Sequence, residues 1–317
     1  MAKRSPAEAR KHFKDMISKQ KVPVVAAPMF IVSGPKLVKA ECEAGIIGSF
    51  PALNARPAEM LTEWIDEIKK VGKPFAVNHI VHRSNDRLMH DLEVTVKHEV
   101  PIAITSLGAR PEVFEATQSY GGLCFHDVIN NTFAKKAVEK GADGLILVAA
   151  GAGGHAGTLS PFAFVAEVRE WFDGPILLSG AIATGAGILA AQAAGADAAY
   201  IGSAFIATEE ANAPDPYKKG IVEGDMEDIV YTNYFSGVHG NYMKSSIRAA
   251  GMDPDNLPEA DPSKMDFKSG GEGSAKVWKD IWGAGQGIGS VKTVGTVASV
   301  VDRLAAEYQQ AKAALTA

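Results

Sequence analysis

Eight short apolar, β-branched runs recur along the chain, at Val24–Ala27, Ile46–Phe50, Phe75–Asn78, Ile102–Ser106, Leu123–Asp127, Leu145–Ala150, Ile176–Gly180 and Ala198–Gly202. Most are apolar on consecutive residues, which is the pattern of strands buried on both faces of a parallel sheet. Their starts lie roughly 21 to 31 residues apart, leaving room for one helix in each interval. Intervening stretches such as Pro35–Ala44 carry helical patterning, and several close on glycine just before the next run, in Glu43-Ala-Gly45, Lys140-Gly-Ala-Asp143 and Ala194-Gly-Ala-Asp197. That glycine is the left-handed stop expected of a helix-to-strand connection. Eight such units predict an α/β fold, a TIM (β/α)8 barrel.

Two segments fall outside the repeat. Residues 5–19 read as an amphipathic helix with Ser5 at the N-cap and Pro6 at the first helical position, placed to cover the bottom of the barrel. From Thr208 to Gln286 the chain is rich in Gly, Pro, Asp, aromatics and Met, and a loop of that length without a role is unusual. The expected organisation is a barrel of residues 1–207 and 287–317 with an inserted capping subdomain, residues 208–286, between the last strand and the final helical stretch.

The chain has 317 residues, 46% of them hydrophobic, enough for one large core. Its 32 basic and 37 acidic side chains give a formal charge of −5, and no basic stretch with interleaved aromatics is present, so no nucleic-acid partner is expected. No window approaches the roughly 18 continuous apolar residues of a membrane span, and the default expectation is a cytoplasmic protein without a membrane partner. Cys42 and Cys124 are too few and too distant for a zinc site or a disulfide framework. Oligomeric state is left open.

In such a barrel the chemistry sits at the carboxyl ends of the strands. The sixth run leads into Gly151-Ala-Gly-Gly-His155-Ala-Gly157, where small residues would leave space for a flat or phosphorylated ligand beside one imidazole. His155 is therefore the candidate acid–base residue, although a lone histidine is often only structural. After the seventh and eighth runs, Gly180-Ala181 and Gly202-Ser203 offer backbone donors for a phosphate, aided by a helix that Thr184 would cap; each glycine read singly is equally a turn. His79, His82 and His126 lie near strand ends without forming a metal triad, so no metal is expected; they are placed at the substrate edge at most. Trp282-Gly-Ala-Gly285-Gln286-Gly-Ile-Gly289 is a weak dinucleotide pattern, better read as a return of the chain against a ring system. Tyr231 to His239, with Tyr234 between them, reads equally as a pocket wall or as the insert's own core.

Taken together, Ala27-Pro28-Met29, Phe75-Ala-Val-Asn78, Ala152-Gly153-Gly154-His155-Ala-Gly157, Ser179-Gly-Ala-Ile182, Gly195-Ala-Asp197 with Ile201-Gly-Ser203, and Ala284-Gly285-Gln286 resemble the nitronate monooxygenase family of FMN-dependent TIM barrels. The resemblance implies that Met29 and Asn78 meet the flavin ring and ribityl region. It likewise implies that Gly180, Ala181, Gly202 and Ser203 hold the phosphate, Gly285 and Gln286 approach the ring edge, and His155 faces the substrate. Position 181 is Ala where many relatives have Gly, and position 203 is Ser where many have Thr. The implied reaction is oxidation of alkyl nitronates by O2 to a carbonyl compound and nitrite, with a small-molecule substrate in a pocket that includes His79, His126, Tyr234 and His239. Two alternatives stand beside it: an NAD(P)H-dependent FMN reductase of quinones or enoyl thioesters, and a flavin-free barrel acting on a sugar phosphate or only binding a metabolite. A lyase of that last kind usually needs a Lys or a metal at a strand end, and none of the eight ends presents a Lys.

Overall fold

The computed structural model describes residues 4–260 and 280–316. In chain order its helices and strands are α1 (Pro6–Ile17), β1 (Val24–Ala26), α2 (Pro35–Ala44), β2 (Gly48–Pro51), α3 (Met60–Lys69), β3 (Phe75–Ile80), α4 (Leu88–Lys97), β4 (Ile102–Ser106), α5 (Pro111–Ser119), β5 (Leu123–Val128), α6 (Asn131–Lys140) and β6 (Gly144–Val148). They continue with β7 (Gly154–His155), α7 (Pro161–Arg169), β8 (Ile176–Ser179), α8 (Gly185–Ala194), β9 (Ala198–Ile201), α9 (Ser203–Ile206), α10 (Asp215–Glu223), β10 (Ile229–Thr232), β11 (Gly240–Met243), α11 (Lys244–Ala249) and α12 (Val297–Thr316). Eight parallel strands run in the order β1-β9-β8-β6-β5-β4-β3-β2, and a bridge between Val25 and Ile47 brings the two ends together, so the predicted barrel is the observed one.

Strand parity divides the side chains. Val25, Ile104, Phe125, Ile146, Leu177 and Ala198 pack in the interior, while their neighbours Val24, Ala103, Cys124, Leu145, Leu178 and Ala199 pack under the surrounding helices. Helix α1 closes the bottom as expected, with Ala9, Phe13 and Ile17 in the interior cluster and Phe13 edge-on to Phe125 at 5.1 Å. Ser5 caps it by accepting the Glu8 amide, and Glu8 returns to the Ser5 amide. Gly45, Gly141 and Gly195 end their helices in the left-handed conformation. The aspartates of the two later Gly-Ala-Asp motifs are bottom staples: Asp143 accepts the Cys124 amide at 2.8 Å and Asp197 the Ile176 amide at 2.9 Å.

The segment expected to cap the barrel is stitched into the active-site face. Strand β11 pairs antiparallel with both β10 and β7, so a three-stranded sheet joins the segment to the loop that carries His155. Tyr217, Ile221 and Met243 enter a core shared with β1 and β9, while Tyr242, Ile247 and Ile281 form a smaller core with Phe235 against it. Residues 261–279 of this segment lie outside the described residues.

Candidate active site

A cavity of about 1580 Å³ opens at the carboxyl ends of the strands, bounded by Ala27, Pro28 and Met29 after β1, Asn78 of β3, the loop from Gly151 to Ala156, Gly180 and Ala181 after β8, and Gly202 with Ser203 after β9. One carbonyl organises its rim. Gly151 O accepts the Ala181 amide at 3.2 Å and the Gln286 amide at 2.9 Å, joining the loops after β6 and β8 to the returning chain at 283–287. These loops touch backbone to backbone: a Cβ on Gly153 would meet the Gly285 nitrogen at 2.7 Å, and one on Gly285 would meet Gly151 O at 2.5 Å. The smallness of Gly151, Gly153 and Gly285 thus serves loop packing more than ligand clearance, which corrects the sequence reading.

Part of the expected phosphate cup is also spent. Ala181 is left-handed at φ 54°, a conformation that suits Gly better, and its amide belongs to Gly151. Thr184 caps α8 by accepting the Gly187 amide at 3.1 Å, as predicted, but the Glu307 carboxylate of α12 takes the Gly185 amide at 2.8 Å. The positive end of α8 therefore already faces an anion of the protein itself. Gly202 and Ser203 remain at the cavity, with Gly202 bordered only at ordinary distance by Ala27 and Met29. Ser203 Oγ accepts the Gly285 amide at 2.8 Å. Gln286 is exposed and does not line the cavity, so only Gly285 of that pair reaches it.

His155 lines the cavity from β7. Its Nε2 lies 2.8 Å from Ser236 Oγ, and Ser236 donates to the Val238 carbonyl at 3.1 Å. Ser236 Oγ also lies 3.3 Å from Tyr242 Oη, so the imidazole is one member of a hydrogen-bonded group that holds the ring by Nε2. The ring keeps an accessible edge on the cavity but sits deep in the protein, and that depth pushes its pKa down to about 4. At neutral pH the imidazole is uncharged. Ser236 had no signal in the sequence beyond its place in the aromatic stretch.

Parity sorts the other candidates. Asn78, Ser106 and Asp127 face the barrel axis and form a chain, Asn78 Nδ2 donating to Ser106 Oγ at 2.7 Å and Ser106 donating to Asp127 Oδ2 at 2.6 Å. Burial raises the Asp127 carboxyl to about 7 against the lowering effect of Ser106. Among the described residues neither Asp127 Oδ1 nor the hydroxyl of buried Tyr200 has a hydrogen-bond partner, and both residues line the cavity. Asp127, Ser106 and Tyr200 were not chosen from the sequence; the signal available was the phase of each strand.

His79 does not reach the cavity. It points outward from β3, with Nε2 3.0 Å from Thr95 Oγ1 of α4. His126 also points outward, bonded to Thr105 at 2.6 Å and edge-on to Phe114, and it still lines the cavity, together with Phe133, Lys136 and Lys140 of α6. Tyr234 and His239 lie outside the lining and are exposed: Tyr234 packs edge-on against Phe235 and His239 stacks on Tyr231 at 5.1 Å, so of this stretch Phe235 joins the segment's small core and Val238 reaches the cavity. Among the described residues no cluster of His, Cys, Asp and Glu could hold a metal, and no helix is long and apolar enough to cross a membrane.

A nearly closed eight-stranded barrel with an imidazole and an unsatisfied polar floor at its mouth defines a ligand-binding (β/α)8 protein. Residues 11–307 match the nitronate monooxygenase family model, and the chain belongs to that family of oxidoreductases, which are flavin-dependent enzymes. It is 26% identical over 225 residues to (3aS,4S,5R,7aS)-5-hydroxy-7a-methyl-1-oxo-octahydro-1H-indene-4-carboxyl-CoA dehydrogenase of Rhodococcus jostii, a match covering 71% of this chain and 63% of that protein. It is also 26% identical over 282 residues to a nitronate monooxygenase of Paraburkholderia phytofirmans, covering 73% of this chain and 76% of the relative. Among solved structures, nitroalkane oxidase from Streptomyces ansochromogenes superposes with a TM-score of 0.82 at 26% identity, over 94% of this chain and 99% of that one.

Proposed function

We propose that the protein binds FMN across the barrel mouth and oxidises alkyl nitronates, and the nitroalkanes that generate them, with His155 as the base and residues 208–286 as the cap. The observation that carries this reading is a neutral imidazole lining a cavity that is also lined by Asp127 and Tyr200, each with a buried polar atom that has no partner among the described residues. Those atoms, with the uncrowded Gly202, fit a flat ligand with a polar edge and a phosphate tail. Asn78 and Met29 would lie against the ring region, and Gly202 and Ser203 would hold the phosphate. FMN, when bound, supplies the electron transfer to O2 that turns the nitronate into a carbonyl compound and nitrite.

His155 acts before that step. The imidazole removes the α-proton of a neutral nitroalkane, and the hydrogen bond between Nε2 and Ser236 Oγ orients the ring for that transfer. A base with a pKa of about 4 is weak in the empty cavity, but the nitronate charge that forms beside it favours the imidazolium and restores its basicity. With a preformed nitronate the proton transfer is not needed.

The size of the cavity favours a second reading. At about 1580 Å³ it exceeds the roughly 300–1,000 Å³ of most small-molecule sites, and Arg56, Lys136 and Lys140 stand along it. A bulky acyl thioester with phosphates would use that space and those cations, in line with the named activity of the Rhodococcus relative. One experiment separates the two. Purified protein should be yellow and should consume O2 with a small nitronate in the absence of pyridine nucleotide. Rapid anaerobic bleaching by NADH, NADPH or a hydroxyacyl-CoA, with no response to nitronate, would replace the first reading by the second.

A further inference from the structure

The inner row ends on two atoms that the protein leaves unsatisfied. Asp127 stands two residues above Phe125 on the axis-facing side of β5, and Tyr200 stands two residues above Ala198 on β9 and two below Gly202. Tyr200 Oη is buried and Asp127 Oδ1 is enclosed, yet neither has a partner among the described residues; burial first, and then the Asp127 charge, push the Tyr200 hydroxyl up. A buried polar atom without a partner is costly, so a pair bordering one cavity marks a place where a ligand completes the bonding.

The polarity of the pair follows from the chain that ends on it. Asn78 Nδ2 can only donate, so Ser106 accepts from it and must spend its own proton on Asp127 Oδ2. When Asp127 is protonated and keeps the hydrogen bond from Ser106 on Oδ2, its proton sits on Oδ1, the enclosed oxygen without a partner among the described residues. The surrounding groups do not force ionisation: Ser106 comes from β4 and Tyr200 from β9, His126 points to the opposite face of β5, and among the described residues no cation pairs with Asp127. Burial keeps a substantial protonated fraction at neutral pH.

We propose that Asp127 Oδ1–H and Tyr200 Oη–H form a two-point donor clamp for a carbonyl edge of the bound ligand, set on the floor of the cavity and distinct from the His155 base. This rests on the FMN reading above. The carbonyl edge has two sources, the pyrimidine ring of the flavin or a carbonyl group of the organic substrate. Tyr200 lies two residues before Gly202, so a ligand anchored at Gly202 passes over the clamp, which favours the flavin.

The test is FMN titration of apoprotein, read by the shift of the flavin absorption bands, for wild type, Tyr200→Phe, Asp127→Asn and Asp127→Leu. Tyr200→Phe removes only an unsatisfied hydroxyl, so apoprotein stability should hold or rise while FMN affinity falls about tenfold. Asp127→Leu should weaken FMN by a similar factor, and Asp127→Asn, which keeps a neutral donor, should restore most of it. Wild-type affinity should also fall as pH rises through about 7, because the ionised carboxylate cannot donate, whereas the Asn variant should show no such dependence. Unchanged FMN affinity with a tenfold rise in substrate KM would assign the clamp to the substrate carbonyl instead. Folded variants with wild-type FMN affinity, spectrum and KM would overturn the clamp while leaving the FMN reading intact; a wild type that takes up no FMN would overturn both.

Discussion

On three neighbouring strands the chain places polar residues side by side, Asn78 with His79, Ser106 with Thr105, and Asp127 with His126, and the fold sends the members of each pair in opposite directions. The outer row is buried between the sheet and its helices, where His79 meets Thr95 and Thr105 meets His126. The inner row borders the cavity. Both contain strongly shifted groups, with the two outer histidines near 4 and Asp127 near 7, and both contain an atom without a partner, since His79 Nδ1 is as unsatisfied as Asp127 Oδ1. Burial and a displaced pKa therefore do not mark a site by themselves. A site also needs a cavity beside the residue that carries the unsatisfied atom, and Asp127 borders one where His79 does not.

The largest effect should come from His155, which belongs to neither row. His155→Ala should lower turnover of neutral nitroalkanes about 10² to 10⁴-fold while sparing much of the turnover of preformed nitronates. Equal loss on both substrates, measured as O2 uptake, would remove the imidazole as the base. A comparable loss on replacing His79, which does not reach the cavity, would remove the distinction between cavity and shell.

Acid should separate the rows by sign. The unfolded chain protonates its histidines near 6.5 but the folded outer rings resist until about 4, so their contribution is complete above pH 6.5 and is lost as pH falls toward 4, on the order of 3 kcal/mol per ring. Asp127 works oppositely. Its folded pKa is raised to about 7, so the folded state holds a proton the unfolded chain releases, and its contribution grows as pH falls from 7 toward 4. Asp127→Asn should accordingly lose stability more steeply than wild type between pH 7 and 4 in denaturant midpoints. Parallel curves would show that the carboxyl is already ionised in the fold.

A smaller contrast comes from one adjacent pair. Asn78→Ala should weaken FMN binding about tenfold, with a modest loss of stability. His79→Phe should cost about 1–2 kcal/mol of stability in urea, because Thr95 loses its ring partner, and should leave FMN affinity unchanged. The reverse assignment of the two effects would mean that the phase of β3 at the mouth is shifted by one residue.

The barrel was legible because its signal is repeated. Eight apolar runs and glycine stops such as Gly45 and Gly195 all point to one architecture, and an error of two residues at a strand end changes nothing. The loop with His155 was legible for the same reason, being a strong local pattern at a strand end. What was missed depends on phase and on distant contacts. Whether Asn78 or His79 faces the axis is a one-residue question that an all-apolar strand does not answer in sequence, and so His79 was placed at the substrate and Asp127 was not. The use of the α8 terminus by Glu307 joins residues 122 positions apart, and the packing of Gly153 on Gly285 joins a glycine loop that reads as ligand clearance to one that reads as a return of the chain against a ring system.

The finest distinction concerns a residue that touches the base and not the reaction. Ser236 Oγ lies 2.8 Å from His155 Nε2 and 3.1 Å from the Val238 carbonyl, so a ring N–H donated to it would fix Nδ1 as the basic nitrogen. Ser236→Ala leaves the ring in place on β7 but frees the competing tautomer, and a roughly equal mixture of tautomers halves the competent population. Loss of the hydrogen bond to the imidazolium adds a further few-fold. The expected outcome is a kcat on nitroalkanes lower by about threefold to tenfold, with KM and FMN affinity unchanged and turnover of preformed nitronates near wild type. Ser236→Thr, which keeps the hydroxyl, should recover most of the rate. If Ala and Thr variants both match wild type, the tautomer is held by other contacts of the ring and the serine only closes the β10–β11 turn.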